Sequence, residues 1–202
     1  DHVTACRAPP RPHRLPTCLR PTVALMPQLN LNTTSNFAIS ASQDIRNANK
    51  VVFPGQGACG YALSHLRQNE LINPLLDCIN NGIPFLGICL GFQLLFQFSQ
   101  EDGGQDTFGL LSGNVDYFTE PDIKVPQMGW NSLALTNKNG ISLAGVHSGD
   151  YVYFVHSLYA TNVDPAVVTS TATYGNTTFV ASICKDNLWG MQFHPEKSGE
   201  VG

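Results

Sequence analysis

The stretch Pro84-Phe85-Leu86-Gly87-Ile88-Cys89-Leu90-Gly91-Phe92-Gln93 decides the reading of this chain. Ile83 to Ile88 is apolar and short, as expected of a buried strand, and Leu90 to Ser99 has the length and apolar content of a helix. A cysteine between them, flanked by Gly87 and Gly91, has the form of a nucleophile elbow, a tight strand-to-helix turn that pushes one side chain into a cleft. The N–H groups and dipole of the following helix would then favour the Cys89 thiolate, the reactive form. An isolated cysteine is more often a core residue. Cys89 is set apart by its partners downstream.

Near the end of the chain stands Leu188-Trp189-Gly190-Met191-Gln192-Phe193-His194-Pro195-Glu196-Lys197-Ser198-Gly199. Leu188 to Phe193 is expected to be a strand, with His194 where it emerges and Pro195 ending it. Glu196 is placed to turn its carboxylate back onto the imidazole. A cysteine nucleophile needs a base to take and return its proton, and the base needs a third group to fix its tautomer. Cys89, His194 and Glu196 supply those roles. Taken singly, His194 would pass for an exposed strand-end histidine and Glu196 for a solvated loop acid.

The Gly-Ile-Cys-Leu-Gly elbow with a downstream His-Pro-Glu resembles the class I (triad) glutamine amidotransferases. Within them the chain is most similar to the glutaminase subunit of imidazole glycerol phosphate synthase, of histidine biosynthesis. Four stretches carry the closer likeness: Phe53-Pro54-Gly55-Gln56-Gly57-Ala58, Val125-Pro126-Gln127-Met128-Gly129-Trp130-Asn131, Tyr153-Phe154-Val155-His156-Ser157 and His194-Pro195-Glu196-Lys197-Ser198-Gly199. It runs from about Ile39 to Gly202. The resemblance implies an α/β fold, a mostly parallel central sheet with helices on both faces in a flavodoxin-like three-layer arrangement. The order of elements agrees: a strand at Lys50 to Phe53, a helix at Leu71 to Ile79 stopped by Asn81-Gly82, the elbow, then β segments at Val115 to Phe118, Tyr151 to Tyr159, Val167 to Thr173 and Thr178 to Cys184.

The resemblance further implies hydrolysis of glutamine through a Cys89 thioester, with the ammonia passed to a (βα)8-barrel cyclase partner that makes imidazole glycerol phosphate and aminoimidazole carboxamide ribotide. The oxyanion of the attack would be met by N–H groups of Leu90 and of the glycine loop at Gln56 and Gly57, a loop expected to reorient before it donates. Gly57, Gln93, Glu101, His156 and Ser157 match positions that hold the substrate, Glu101 pairing with its ammonium. Trp130, Tyr153 and Lys197 match positions at the subunit interface. Plain alternatives stand beside each: a turn for the loop, a solvated acid for Glu101, core aromatics for Trp130 and Tyr153. No cofactor and no metal are expected. Two other readings of the whole remain, a glutaminase component of another triad amidotransferase and an inactive fragment that only binds its partner.

Composition fits one soluble globular domain: 202 residues, 43% hydrophobic, 13% charged and a net charge of −4. No basic patch suggests nucleic acid, and no apolar run reaches membrane-spanning length. The six cysteines (6, 18, 59, 78, 89, 184) show no paired metal-ligand spacing and read as thiols of a reducing, cytoplasmic compartment. Residues 1 to 28 are Pro/Arg-rich, without apolar periodicity, and are expected to be an unpacked tail. They lack the buried first strand and Asp-Tyr-Gly-x-Gly-Asn loop of the related subunits, as a mis-framed start would explain. The amidotransferase domain is thus expected over 29 to 202, without its usual first strand and without the closing helix beyond Gly202.

Overall fold

The computed structural model describes residues 23–24, 42–136 and 143–202. In chain order the elements are β1 (Val23–Ala24), α1 (Ser42–Arg46), β2 (Val51–Gly55), α2 (Cys59–Gln68), α3 (Ile72–Asn80), β3 (Phe85–Cys89) and α4 (Leu90–Gln93). There follow β4 (Phe98–Ser99), β5 (Gln105–Asp106), β6 (Asn114–Tyr117), β7 (Gln127–Ser132), β8 (Ala134–Leu135), β9 (Tyr151–His156), β10 (Leu158–Thr161), β11 (Val168–Tyr174), β12 (Thr177–Lys185) and β13 (Leu188–Met191).

Seven strands form the central sheet in the order β1-β2-β3-β13-β12-β11-β8. β1, β2, β3 and β13 run parallel, and the rest pair antiparallel, so the sheet is mixed, with its parallel half carrying the elbow. β1 lies in the stretch expected to be an unpacked tail, where Val23 and Ala24 pair with Val51 and Val52; the other residues of 1 to 28 lie outside the described ones. A four-stranded sheet β10-β6-β4-β5 and the hairpin-like pair β7-β9 complete the fold.

Both faces of the sheet are covered. On one, Leu63, Leu66, Leu75 and Ile79 of α2 and α3 pack with Phe53, Phe85, Phe92 and Leu95. On the other, Val152 and Phe154 of β9 pack with Phe179, Ala181, Met191 and Phe193. Each fully buried Leu or Phe side chain contributes about 1.5–3 kcal/mol of hydrophobic stabilisation. Among the described residues no helix is long and apolar enough to cross a membrane.

Two expectations need correction, and one element stands outside them. The helix after the elbow spans Leu90–Gln93 rather than Leu90 to Ser99, because the next carbonyls are taken by another segment. Phe108 N–H donates to Leu94 O, the N–H groups of Leu110 and Leu111 to Leu95 O, and Gly109 N–H to Phe96 O. Leu90, Phe92, Leu94, Leu95 and Phe96 are all buried, so no polar face marks where the helix stops. Tyr151 to Tyr159 is two strands in two sheets, broken at Ser157. Helix α2 has no counterpart among the expected elements; Gly60 and the polar residues Ser64, His65, Arg67 and Gln68 dilute its apolar pattern.

Candidate active site

Strand register places the reactive groups together before any side chain is considered. Ile88 pairs with Met191 across β3 and β13, and Gly55 pairs with Cys89 across β2 and β3. The carboxyl ends of three parallel neighbours therefore converge, carrying the glycine loop after β2, Cys89 and, three residues beyond β13, His194. Ligand sites of open α/β sheets lie at such ends.

Cys89 has φ 52° and ψ −105°, a left-handed backbone that a non-glycine residue adopts only under constraint. The flanking glycines supply the constraint. A Cβ on Gly91 would stand 1.9 Å from the carbonyl oxygen of Phe53, and one on Gly87 would stand 2.5 Å from that of Gly91. Strand β2, the elbow and α4 are thus in contact backbone to backbone.

Gln56, Gly57, Ala58, Cys89, Leu90, Gln93, Glu101, Pro126, Val155, His156, Ser157, Leu158 and His194 line one cavity of about 450 Å³. Of the residues expected to be catalytic or to meet substrate, all but Glu196 line it. Gly57 has φ +101°, and a Cβ there would meet nothing within 4 Å, so glycine is needed for its backbone and not for space.

His194 is buried, and its Nδ1 lies 2.8 Å from Oε1 of Glu196. A carboxylate only accepts, so Nδ1 carries the proton and Nε2 is the basic nitrogen. Nε2 is buried and has no hydrogen-bond partner among the described residues. A 3-10 turn at Pro195–Lys197 brings Glu196 back to the ring. Ser198 secures that turn: its hydroxyl donates to His194 O at 2.6 Å and accepts from Tyr153 N–H at 3.0 Å. His194 N–H in turn donates to Tyr153 O at 2.9 Å. Glu196→Gln is expected to lower glutamine turnover about 100- to 10,000-fold with little change in KM, because an amide can hold the wrong tautomer. Steady-state kinetics of the complex check this, and a variant within threefold of the parent would remove Glu196 from the catalytic group.

The expected thiolate is not the resting form. Burial pushes the Cys89 thiol up to about 12; the Leu90 N–H opposes this, while Glu196 and Glu101 add to it and Lys197 relieves it slightly. The one-turn helix does not outweigh the loss of water. The sulfur lies 3.8 Å from Val155 O, to which a thiol can donate. A neutral thiol therefore stands on a cavity that His194, with its unpaired ring nitrogen, also lines.

The other residues divide by how much of their bonding capacity is used. His156 is buried among Phe118, Phe154 and Phe179. Its Nδ1 donates to Leu158 O at 2.7 Å, and burial pushes its pKa down to about 4, so the ring is neutral and Nε2 stays a bare acceptor. Gln93 spends its amide N–H groups inside the protein, on Leu158 O and Gln192 Oε1, both at 3.0 Å. Only its oxygen is left for a ligand. Glu101 accepts from Cys59 N–H, at the start of α2, at 2.6 Å, and burial raises its pKa. Two positions escape sequence reasoning, Ser198 and Gln192. Ser198 stands in the His-Pro-Glu-Lys-Ser-Gly motif with no role that its residue type alone would assign. A glutamine two residues before the base carries no signal until its burial is seen.

Trp130, Tyr153 and Lys197 also meet. Trp130 and Tyr153 are paired across β7 and β9 with ring centroids 6.1 Å apart, and Lys197 Nζ lies 5.8 Å from the Tyr153 ring centre. Trp130, Met128 and Tyr151 are more than half exposed, giving an aromatic patch beside the His194 turn.

The glutamine amidotransferase class-I family model matches residues 28–202. The imidazole glycerol phosphate synthase subunit HisH of Nostoc punctiforme is 45% identical over 161 residues, 79% of this chain and 76% of that protein. The same subunit of Gloeothece citriformis is 45% identical over 174 residues, 86% of this chain and 82% of that one. Among solved structures, a glutamine amidotransferase superposes with TM-score 0.62 at 12% identity, covering 82% of this chain and 80% of that one. PurLQS from Thermotoga maritima gives 0.63 at 14%, covering 91% and 92%. At such identities the superpositions establish the fold alone, and the sequence matches the family. The chain belongs to the class I glutamine amidotransferases, within their imidazole glycerol phosphate synthase subunit HisH group.

Proposed function

We propose that this chain hydrolyses glutamine in a cytoplasmic imidazole glycerol phosphate synthase and delivers the ammonia to a (βα)8-barrel cyclase subunit. The observation that carries the chemistry is the His194 imidazole, its Nδ1–H held by Glu196 and its Nε2 unpaired, on a residue that lines the same cavity as Cys89. In this reading Nε2 takes the Sγ proton as sulfur attacks the side-chain amide carbon of glutamine, forming a C–S bond. The amide oxygen becomes an oxyanion facing the N–H groups of Leu90 and of the Gln56-Gly57 loop. Collapse breaks the C–N bond, and the imidazolium protonates the departing nitrogen to give ammonia. Water then loses a proton to Nε2, attacks the thioester carbon and releases glutamate, and the proton returns to sulfur.

Glu101 would receive the substrate ammonium, a role its half-buried, partly desolvated carboxylate suits. The Gln93 oxygen and the His156-Ser157 segment would hold the rest of the amino-acid end. The aromatic patch of Trp130 and Tyr153, with Lys197, would seat the cyclase. Tyr153 bonds the His194 backbone and the Ser198 hydroxyl, so a partner pressing on this patch bears on the catalytic turn. A resting thiol that burial keeps neutral accords with a glutaminase that is slow alone.

The test is glutamate release by the chain alone and with a cognate cyclase plus its ribonucleotide ligand. Strong stimulation by the partner is expected; no release in either condition would overturn the reading. Trp130→Ala should weaken the subunit contact by about 2 kcal/mol, roughly 30-fold in Kd, as the loss of an interface tryptophan does. Titration calorimetry measures it, and an unchanged Kd would move the interface elsewhere.

A further inference from the structure

Gln192 is fully buried, and its backbone N–H is fixed to β12 by a 2.9 Å bond to Ala181 O. Its side-chain nitrogen lies 3.7 Å from the Cys89 sulfur, and its oxygen 3.0 Å from the Gln93 nitrogen. The two ends of an amide are hard to tell apart by shape, but here the bonding decides. Leu158 O can only accept, so the Gln93 atom facing it is nitrogen. That same nitrogen reaches Gln192, so the Gln192 atom it meets is oxygen. The NH2 of Gln192 is thereby turned onto sulfur.

We infer that Gln192 is a built-in hydrogen-bond donor to the nucleophile, holding the Cys89 sulfur in place and stabilising it as it loses its proton. The inference rests on the reading of Cys89 as nucleophile and adds a residue to it. A carbonyl-anchored chain, Leu158 O to Gln93 to Gln192 to Cys89, gives the donor its direction without a charged group. Such a donor matters because so much of the surroundings opposes a thiolate: burial and the carboxylates of Glu196 and Glu101 all raise the thiol pKa, against which the Leu90 N–H and Lys197 work. The other titratable groups facing the sulfur across the cavity are His194 and His156. Hydrogen bonds to a charged acceptor are stronger than those to a neutral one, so the Gln192 N–H gains as the proton leaves.

The experiment is the rate of Cys89 alkylation by iodoacetamide against pH, followed by mass spectrometry, in the full chain bound to its cyclase. Gln192→Met keeps the volume and removes the donor. Gln192→Glu keeps the bond from Gln93 but sets an acceptor against sulfur. Loss of the donor is expected to displace the logarithmic rate profile upward by about one pH unit, a tenfold slower reaction at fixed pH. The Glu variant should move it further the same way. kcat should fall with the alkylation rate while KM for glutamine changes little. Profiles that overlay the parent's in both variants, with thermal melts showing both folded, would overturn the inference. So would a loss of kcat with an unmoved profile, which is what a purely packing role predicts. If the Met variant does not fold, the isosteric Glu variant decides alone. Alkylation reads the thiol and not glutamine turnover, so a parent chain that alkylates at Cys89 but releases no glutamate would fail the proposed function, while the alkylation profiles of the variants would still decide whether Gln192 donates to the sulfur.

Discussion

Cys89→Ala is expected to abolish glutamine-dependent synthesis by the complex, a drop of roughly a million-fold in kcat, and to leave ammonia-dependent synthesis within about twofold. The asymmetry follows from the division of labour proposed for the two subunits. In that proposal Cys89 forms the thioester and nothing else lining the cavity can replace its sulfur, whereas ammonia added to the medium bypasses the whole cavity. The substitution removes one sulfur from a residue that is only 8% exposed and N-terminal to α4. Alanine adopts the positive φ no more easily than cysteine, so the elbow keeps its strain and its shape. Measuring both nitrogen sources on the same preparation separates chemistry from folding. Equal loss with glutamine and with ammonia would assign Cys89 a structural part in subunit assembly instead.

The elbow and the His194–Glu196 pair are legible in the sequence because each rests on local chemistry. A glycine on either side of a cysteine permits a tight turn, and a proline after a histidine restricts the backbone, wherever they occur. Strands β3 and β13 likewise follow from short apolar runs with sharp ends. What the chain alone conceals is long-range partnership. Nothing in Leu94-Leu95-Phe96 announces that residues 108 to 111 will take its carbonyls, and so apolar content alone carries the expected helix past its true end at Gln93. The ionisation of Cys89 is concealed for a related reason. A helix N-terminus is visible in sequence, but the burial that outweighs it, and the Glu196 and Glu101 carboxylates that add to it, arrive from separate segments. Gln192 belongs to the same class: its neighbour Gln93 lies 99 residues away, and only folding makes them a pair.

Gly91→Ala should be the most destabilising single methyl group in the described part of the chain. Within a helix alanine is favoured over glycine by about 1 kcal/mol, so propensity alone predicts a gain. The added carbon, however, would lie 1.9 Å from Phe53 O and 3.0 Å from Phe53 C, and the obstacle is the backbone of β2, not the tip of a side chain. To relieve it α4 must lift from β2, and with it go Leu90, already within 2.9 Å of where a Cβ on Gly55 would stand, and the fully buried Phe92. Overpacking that side chains absorb costs about 1–3 kcal/mol. A backbone obstacle at the centre of the sheet should exceed that range, an amount of more than about 3 kcal/mol out of a total of about 5–15. Gly82→Ala is the control: its φ is +78° but a Cβ there meets nothing within 4 Å, so the cost should be the left-handed backbone alone, about 1 kcal/mol. Urea unfolding of both variants, followed by circular dichroism, measures the difference. If Gly91→Ala unfolded within about 1 kcal/mol of Gly82→Ala, the close approach of α4 to β2 would not be what holds the elbow, and the strain at Cys89 would need another support.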